Sequence, residues 1–230
     1  MELAVQPVGL SQPTGLVVDD GALARGTYQG WWSEYKDLWI SPLIGLQEQA
    51  SRISVYQSCF VPWMFQTEDY ARAVIKGTVP DISDSVLDDR VDARIKRQKL
   101  LTRESAPAFL ALVDESALHR PVGGSHVMRH QLKKIVEIVS TVENITVQVV
   151  PLRVGAYPGL DSTFTLLEFE SERSAMVYVE NAIGAFYLEQ AAIVRRYEDV
   201  LEYVLHPGRA LDPKSSLDLI HQIGNSPDLS

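Results

Sequence analysis

Three histidines carry the most obvious metal-binding chemistry of this 230-residue chain. His119, His126 and His130 lie close together, and the last two have the i, i+4 spacing that places side chains on one helical face. A zinc site needs three or four ligands, and no carboxylate or cysteine completes this set by its spacing. We therefore expect a solvated polar helix face, with no metal and no other cofactor.

Cys59 is the single cysteine, which excludes an intrachain disulfide and is typical of a reducing compartment. No base stands beside it in the sequence, and free cysteines are commonly small buried hydrophobes, so we do not expect a nucleophile. The sequence also lacks phosphate-binding, dinucleotide-binding, serine-hydrolase and zinc-protease motifs. It identifies no catalytic residue.

Aromatic side chains are concentrated in the first third of the sequence. The cluster contains all four tryptophans together with tyrosines and phenylalanines: Trp31, Trp32, Trp39, Trp63, Tyr35, Tyr56, Phe60, Phe65 and Tyr70. Such a cluster forms either the core of a helical layer or the wall of a ligand pocket. Polar residues threaded through it, including Glu34, Gln66 and Glu68, favour the pocket because they could orient an otherwise apolar ligand. The sequence leaves both interpretations open.

The charge balance disfavours a protein that binds nucleic acid. Thirty acidic against 21 basic side chains give a formal net charge of −9, whereas phosphate backbones are bound by an excess of lysine and arginine. No apolar run approaches the roughly 18 to 20 residues of a membrane helix, and the N-terminus lacks a secretory signal. We expect a cytoplasmic protein without membrane contact.

Apolar periodicity predicts helices in the first half, over 41–53, 67–77 and 83–102. The third helix has its acidic residues early and its basic residues late, an order that interacts favourably with the helix dipole. We therefore interpret these charges as helix-stabilising and not as a binding surface.

In the second half, β-branched and alternating segments predict four strands, over 108–113, 144–150, 162–169 and 175–180, with further helices around 127–139, 194–205 and 212–224. This pattern predicts an α+β fold, in which a helical first half packs on a mostly antiparallel four-stranded sheet with interspersed helices. We expect an N-terminal arm over 1–27, one α+β domain over 28–224 and a tail over 225–230.

Several ordered sequence blocks point to a known family. They are WSEYKDL (32–38), IGLQEQASRI (44–53), QTEDYARA (66–73), RIKRQ (94–98), DESALHRPVGG (114–124), VQVVP (147–151), GAYPGL (155–160) and VYVE (177–180). Together they resemble the C-terminal domain of actinobacterial antitoxin-like regulators of the Xre class, over about residues 28–224. In such regulators the domain follows a helix-turn-helix and is thought to recognise an effector or a partner. It is often encoded beside a short toxin-like protein.

Three features depart from that family. The first 28 residues are rich in proline and glycine, with Arg25 as the only basic residue, so we do not expect a helix-turn-helix there. Trp63, Met64 and Phe65 stand where the family usually has glycine and leucines, and Tyr157 replaces a common histidine. These changes suggest adaptation to a larger or more aromatic ligand.

Two classes of function follow. The chain is either a stand-alone effector- or partner-binding protein, without direct DNA binding, or an enzyme of specialised metabolism acting by acid–base chemistry on a hydrophobic substrate. The expected partner is an apolar or aromatic small molecule or a short toxin-like protein, and a homodimer is compatible with the sequence. The expected ligand-binding residues comprise aromatic walls and polar anchors: Trp32, Trp63, Phe65, Gln66, Tyr70, His119, Arg120 and Glu180.

Overall fold

The computed structural model describes residues 16–18, 30–35, 41–170, 174–181, 184–227 and 229. Most of the predicted N-terminal arm lies outside the described residues, as do Trp39 and parts of the predicted tail. Residues 16–18 form a short strand that pairs with a strand late in the chain.

Within the described ranges the chain forms seven α-helices. They are α1 Ser41–Gln49, α2 Glu68–Thr78, α3 Asp84–Arg97, α4 Glu115–His119, α5 Ser125–Thr141, α6 Ala191–Leu205 and α7 Pro213–Asn225. Side chains cap several of them at the N-terminus, as the sequence predicts: Thr67 accepts from the Tyr70 backbone N–H, and Asp212 from that of Ser215. The first predicted helix is too long, because α1 ends at Gln49, whereas the third continues beyond Arg97 as a 3₁₀ helix over Gln98–Leu101.

The described strands form one seven-stranded mixed sheet. They are β1 Leu16–Val18, β2 Arg52–Gln57, β3 Ala108–Asp114, β4 Ile145–Val150, β5 Phe164–Glu168, β6 Met176–Asn181 and β7 Gly184–Leu188. Their order is β1-β7-β6-β5-β2-β3-β4. The pairs β1–β7, β2–β3 and β3–β4 are parallel, and the other three pairs are antiparallel.

The chain is α+β, but the predicted mostly antiparallel four-stranded sheet is wrong. All four predicted strands form, and six strands lie between residues 52 and 188 even without the short β1. The prediction missed β2 because four consecutive residues of this central strand are buried, so it lacks the alternation of a half-exposed strand. Ile53 was assigned to the preceding helix and in fact lies in β2.

The helices lie on both faces of the sheet. One apolar cluster joins the sheet to α1, α2, α5 and α7, with Ile53, Phe109 and Val147 contributing from the strands. A second cluster joins the opposite face to α6, with Tyr56, Leu112 and Phe164 pointing there. Helix α3 packs on α2. No helix in the described ranges is long and apolar enough to cross a membrane.

Candidate functional site

Helix α3 carries three arginines on one side, and they point toward the protein. Arg90, Arg94 and Arg97 follow the three- and four-residue steps that align side chains along a helix. Arg90 and Arg97 are each only 5% exposed, and Arg94 is half-buried. We call these three side chains the arginine face.

Neutral amides, rather than carboxylates, hold two of these guanidinium groups. Arg97 donates from Nε to Gln47 Oε1 at 2.7 Å and also from Nη2 to the same oxygen. Arg94 donates from Nη1 to Gln66 Oε1 at 2.8 Å. An amide oxygen satisfies the hydrogen bond but leaves the positive charge uncompensated, and buried charges are usually paired with opposite charges.

Burial of the arginine face is reflected in its electrostatics. It lowers the pKa of Arg97 to about 9 and that of Arg94 to about 10, because desolvation disfavours the charged form. Both guanidinium groups remain charged at neutral pH. The site therefore concentrates positive charge in a chain whose net charge is −9.

The indole of Trp63 covers one side of the arginine face. The guanidinium carbon of Arg97 lies 3.1 Å from the centroid of the Trp63 ring, within the range of a cation–π contact. Trp63 packs against the core but is only partly buried. The ring is thus a boundary between the core and solvent.

Four polar side chains fix the segment 61–67 that carries Trp63. Gln66 Nε2 donates to the Val61 carbonyl at 2.7 Å, and the Val61 backbone N–H donates to the Tyr70 hydroxyl at 3.1 Å. Two further glutamines bind the backbone from neighbouring helices. Gln98 Nε2 donates to the Gln66 carbonyl at 2.6 Å, while Gln131 bonds to the backbone of residues 65 and 67. Trp63 is therefore held in place by hydrogen bonds from several directions.

Residues of β6 and β7 are close enough to the arginine face to interact with it electrostatically. The Tyr178 hydroxyl donates to Glu180 Oε2 at 2.7 Å, and the Tyr178 and Tyr187 ring centroids lie 5.2 Å apart. Glu180 acts electrostatically on both Arg94 and Arg97. Burial raises the pKa of Tyr178 and of Tyr187, so both hydroxyls stay protonated at neutral pH.

The structure brings four of the eight predicted ligand-binding residues to the arginine face. Trp63 and Gln66 contact it directly, and Glu180 acts on it electrostatically. Tyr70 is fully buried beside it. Burial raises the pKa of Tyr70, and the positive charges of Arg120 and Arg94 oppose this rise only in part.

The other predicted residues have different environments. Phe65 is fully buried against Phe109, so it belongs to the core. Trp32 is 5% exposed and packs on Gly45 of α1. His119 is exposed and bonds to Glu115, and Arg120 is exposed beyond the end of α4.

A second buried polar network lies at the carboxyl ends of β2 and β3. The Tyr157 hydroxyl donates to Asp114 Oδ2 at 2.6 Å and lies 2.8 Å from the Tyr56 hydroxyl. Asp114 also accepts from the Ser116 backbone N–H as the N-cap of α4. Burial raises the pKa of Tyr157, and it raises that of Tyr56 to about 12. Tyr157, which stands where the family commonly has a histidine, thus links Asp114 to Tyr56 by hydrogen bonds.

The cysteine and histidines singled out from the sequence form no metal site with other described residues. Cys59 is exposed rather than buried, contrary to the usual behaviour of a free cysteine, and lies 3.6 Å from the Ser58 hydroxyl. His126 and His130 are exposed on α5. Within the described residues, no group of three histidine, cysteine or carboxylate side chains is placed to hold a metal ion.

Sequence analysis missed Gln47 and the three arginines. Arg94 and Arg97 were interpreted as part of a basic end whose charge complements the helix dipole, and Arg90 was not singled out. Their spacing contained a usable signal, because Arg90 and Arg94 share a side of α3 with the buried residues Leu87 and Val91. An arginine on an apolar helix face indicates an inward-facing charge. Gln47 had no comparable signal.

The comparisons with known proteins identify a family. Residues 40–222 match the domain of unknown function DUF5753. The chain belongs to the DUF5753 family. The matched region of this DUF5753 protein includes α1, the arginine face and both polar networks. No curated protein and no solved structure matches the chain.

Proposed function

We propose that this chain contains an effector- or partner-binding domain of the kind found in Xre-class regulators, and that it binds a small molecule with an aromatic or apolar body at the arginine face. Membership of DUF5753 supports the regulator origin, since this domain is in general found in Xre-like regulators. We expect no direct contact of this domain with DNA, because the chain has a net charge of −9. A short toxin-like protein is the other partner class that this origin allows.

One observation carries the proposal: side-chain hydrogen bonds fix the segment that holds the partly exposed Trp63 ring. Bonds from Gln66, Gln98 and Gln131 to the backbone of this segment hold the ring in one position at the boundary with solvent. A rigid aromatic surface at the boundary with solvent is a typical wall of a small-molecule site. Glu180 and Arg94 supply polar groups on the same side.

Acid–base catalysis on a hydrophobic substrate is a second proposal, and the tyrosines disfavour it. A general acid or base works best with a pKa near the working pH. The pKa values of Tyr56, Tyr157, Tyr178 and Tyr187 are all raised by burial, away from neutrality. Binding is therefore the function that the site supports better.

Titration with two fluorescent probes tests the binding proposal. The probes are 8-anilinonaphthalene-1-sulfonate and the uncharged N-phenyl-1-naphthylamine, which share an aromatic body. We expect at least one to bind the wild-type chain with one-to-one stoichiometry, and Trp63→Ala to weaken that binding about tenfold or more, which corresponds to about 1.4 kcal/mol.

Tyr203→Ala is the matched control variant. Tyr203 is also an aromatic residue stacked on an arginine, since Arg209 lies 3.3 Å from its ring centroid, but it is exposed at the end of α6. We expect this variant to bind the probes like the wild type. Failure of both probes to bind, or equal losses in the two variants, would contradict the proposal.

A further inference from the structure

Two buried polar groups beside Arg97 have no hydrogen-bond partner among the described residues. They are Gln47 Nε2 and the Tyr187 hydroxyl. Gln47 is fully buried and Tyr187 is 1% exposed. Leaving a buried polar group unpaired costs about 1–3 kcal/mol, so each such group needs an explanation.

The orientation of the Gln47 amide is fixed by its neighbour. Arginine has only donors, so the Gln47 oxygen must face the Arg97 guanidinium, from which it accepts two hydrogen bonds. The amide nitrogen is bonded to the same carbon and must therefore lie beside the same guanidinium, with its two hydrogens directed elsewhere. Gln47 thus presents an unused donor next to a buried cation.

Tyr187 adds a second group at the same place. Its hydroxyl is near the backbone of Leu43, one helical turn before Gln47, although not in hydrogen-bonding geometry. Its ring is close enough to Arg97 for the two to interact electrostatically. The Gln47 amide N–H₂ and the Arg97 guanidinium group are therefore in contact, the Tyr187 hydroxyl lies in the same region, and each of the three groups can donate a hydrogen bond.

Such a set of groups lacks an acceptor with negative charge. A carboxylate, sulfonate or phosphate offers several acceptor oxygens and a negative charge, which the amide partners of Arg94 and Arg97 do not supply. Among the described carboxylates, Glu180 acts electrostatically on both Arg94 and Arg97; it is exposed and accepts a hydrogen bond from the Tyr178 hydroxyl. One exposed carboxylate does not balance the two guanidinium charges of Arg94 and Arg97.

We infer that the ligand of the arginine face carries an anionic oxygen group, and that Gln47 selects for it by supplying a buried hydrogen-bond donor in place of a carboxylate. The inference rests on the proposed function and specifies the ligand class. A glutamate at position 47 would pair with Arg97 and neutralise its charge, so that an anionic ligand would no longer be attracted. Glutamine keeps the acceptor for Arg97 and leaves the charge available to a ligand.

The inference predicts a preference between the two probes. The sulfonate of 8-anilinonaphthalene-1-sulfonate supplies the anionic group, whereas N-phenyl-1-naphthylamine has none. We expect the sulfonate to bind the wild-type chain at least tenfold more tightly, with an affinity that falls as salt is added. Absence of binding by both probes contradicts the proposed function, whereas equally tight binding of the two contradicts only the anionic ligand.

Gln47→Glu tests the selecting role directly. This change nearly preserves the shape of the side chain and gives the buried guanidinium of Arg97 a carboxylate partner, so we expect a folded protein. Affinity for the sulfonate should fall at least tenfold, and affinity for the uncharged probe should not change. Unchanged affinity for the sulfonate overturns the role of Gln47.

Two further variants complete the experiment. Gln222→Glu makes the same charge change at an exposed position of α7 and should leave both affinities unaltered. Arg94→Gln removes one charge from a half-buried position, and should weaken only the sulfonate, which provides a test even where Gln47→Glu does not fold. Equal loss of both probes in Arg94→Gln contradicts an anionic ligand.

Discussion

Arg97 lies between two neutral partners, the face of Trp63 at 3.1 Å and the amide oxygen of Gln47 at 2.7 Å. The indole supplies a cation–π contact, and the amide supplies a hydrogen-bond acceptor. Neither partner carries a negative charge. A buried guanidinium held in this way combines defined geometry with an unbalanced charge, the two properties that an anion-binding site needs.

The first prediction distinguishes a residue that lines the ligand site, Trp63, from a residue of the hydrophobic core, Phe65. Phe65→Ala should lower the free energy of unfolding by about 3–5 kcal/mol, because Phe65 is fully buried and its removal leaves a cavity. Trp63→Ala should cost less, about 1–2 kcal/mol, since it mainly loses the contact with Arg97. Urea denaturation of the two variants measures both values. A larger loss for Trp63→Ala would identify Trp63 as a core residue.

The second prediction concerns the glutamine that joins α5 to this segment. Gln131 Nε2 donates to the Phe65 carbonyl at 2.7 Å, and Gln131 Oε1 accepts from the Thr67 backbone N–H at 2.7 Å. Gln131→Leu leaves both buried backbone groups unpaired, so we expect a loss of about 2–4 kcal/mol in the free energy of unfolding. The exposed Gln222→Leu should change it by less than about 0.5 kcal/mol. Similar values for the two variants would show that Gln131 does not hold the segment.

The third prediction uses the raised pKa of Tyr157. A tyrosine whose pKa is higher in the folded state binds its proton more tightly there, so its stabilising effect is complete below pH 10 and is lost as pH rises above it. The wild-type free energy of unfolding should therefore fall more steeply above pH 10 than that of Tyr157→Phe. The difference should approach about 1.4 kcal/mol per pH unit.

Urea denaturation between pH 9 and pH 11.5 measures this difference in slope. Tyr203→Phe is the control, since Tyr203 is exposed and outside the network. If the free energy of unfolding fell equally steeply with pH in the wild type and in Tyr157→Phe, the raised pKa of Tyr157 would be contradicted. Tyr56 should contribute in the same direction, because burial raises its pKa to about 12.

The fourth prediction is that the protein does not bind duplex DNA with sequence selectivity. The net charge is −9, and Arg90 and Arg97 of α3 are buried and unavailable to the phosphates of a duplex. A gel-shift titration at several salt concentrations is the measurement. Sub-micromolar, salt-sensitive and sequence-selective binding would refute the prediction.

Local sequence signals predicted most helices and four strands but not the order of the sheet. The caps at Thr67 and Asp212 and the apolar periodicity behind them are local features, and the structure has both. Strand β2 was missed because it is buried on both faces, where alternation disappears. Strand order depends on contacts between distant segments, such as β2 with β5, which composition does not encode.

The candidate site was predicted in part for the same reason. Trp63, Gln66 and Tyr70 belong to one conspicuous segment of the sequence, so their type and spacing revealed them. Gln47 and Arg97 are 50 residues apart, and only the fold brings them together. The basic end of α3 already had an explanation in the helix dipole, which concealed its inward-facing arginines.

A crystal structure of the chain with 8-anilinonaphthalene-1-sulfonate tests the central claim most directly. We predict that a sulfonate oxygen lies about 3 Å from Gln47 Nε2 and from a guanidinium nitrogen of Arg94 or Arg97, with the naphthalene ring against Trp63. A sulfonate bound elsewhere, with Gln47 Nε2 and the Tyr187 hydroxyl still unpaired, would contradict an anion-binding role for the arginine face.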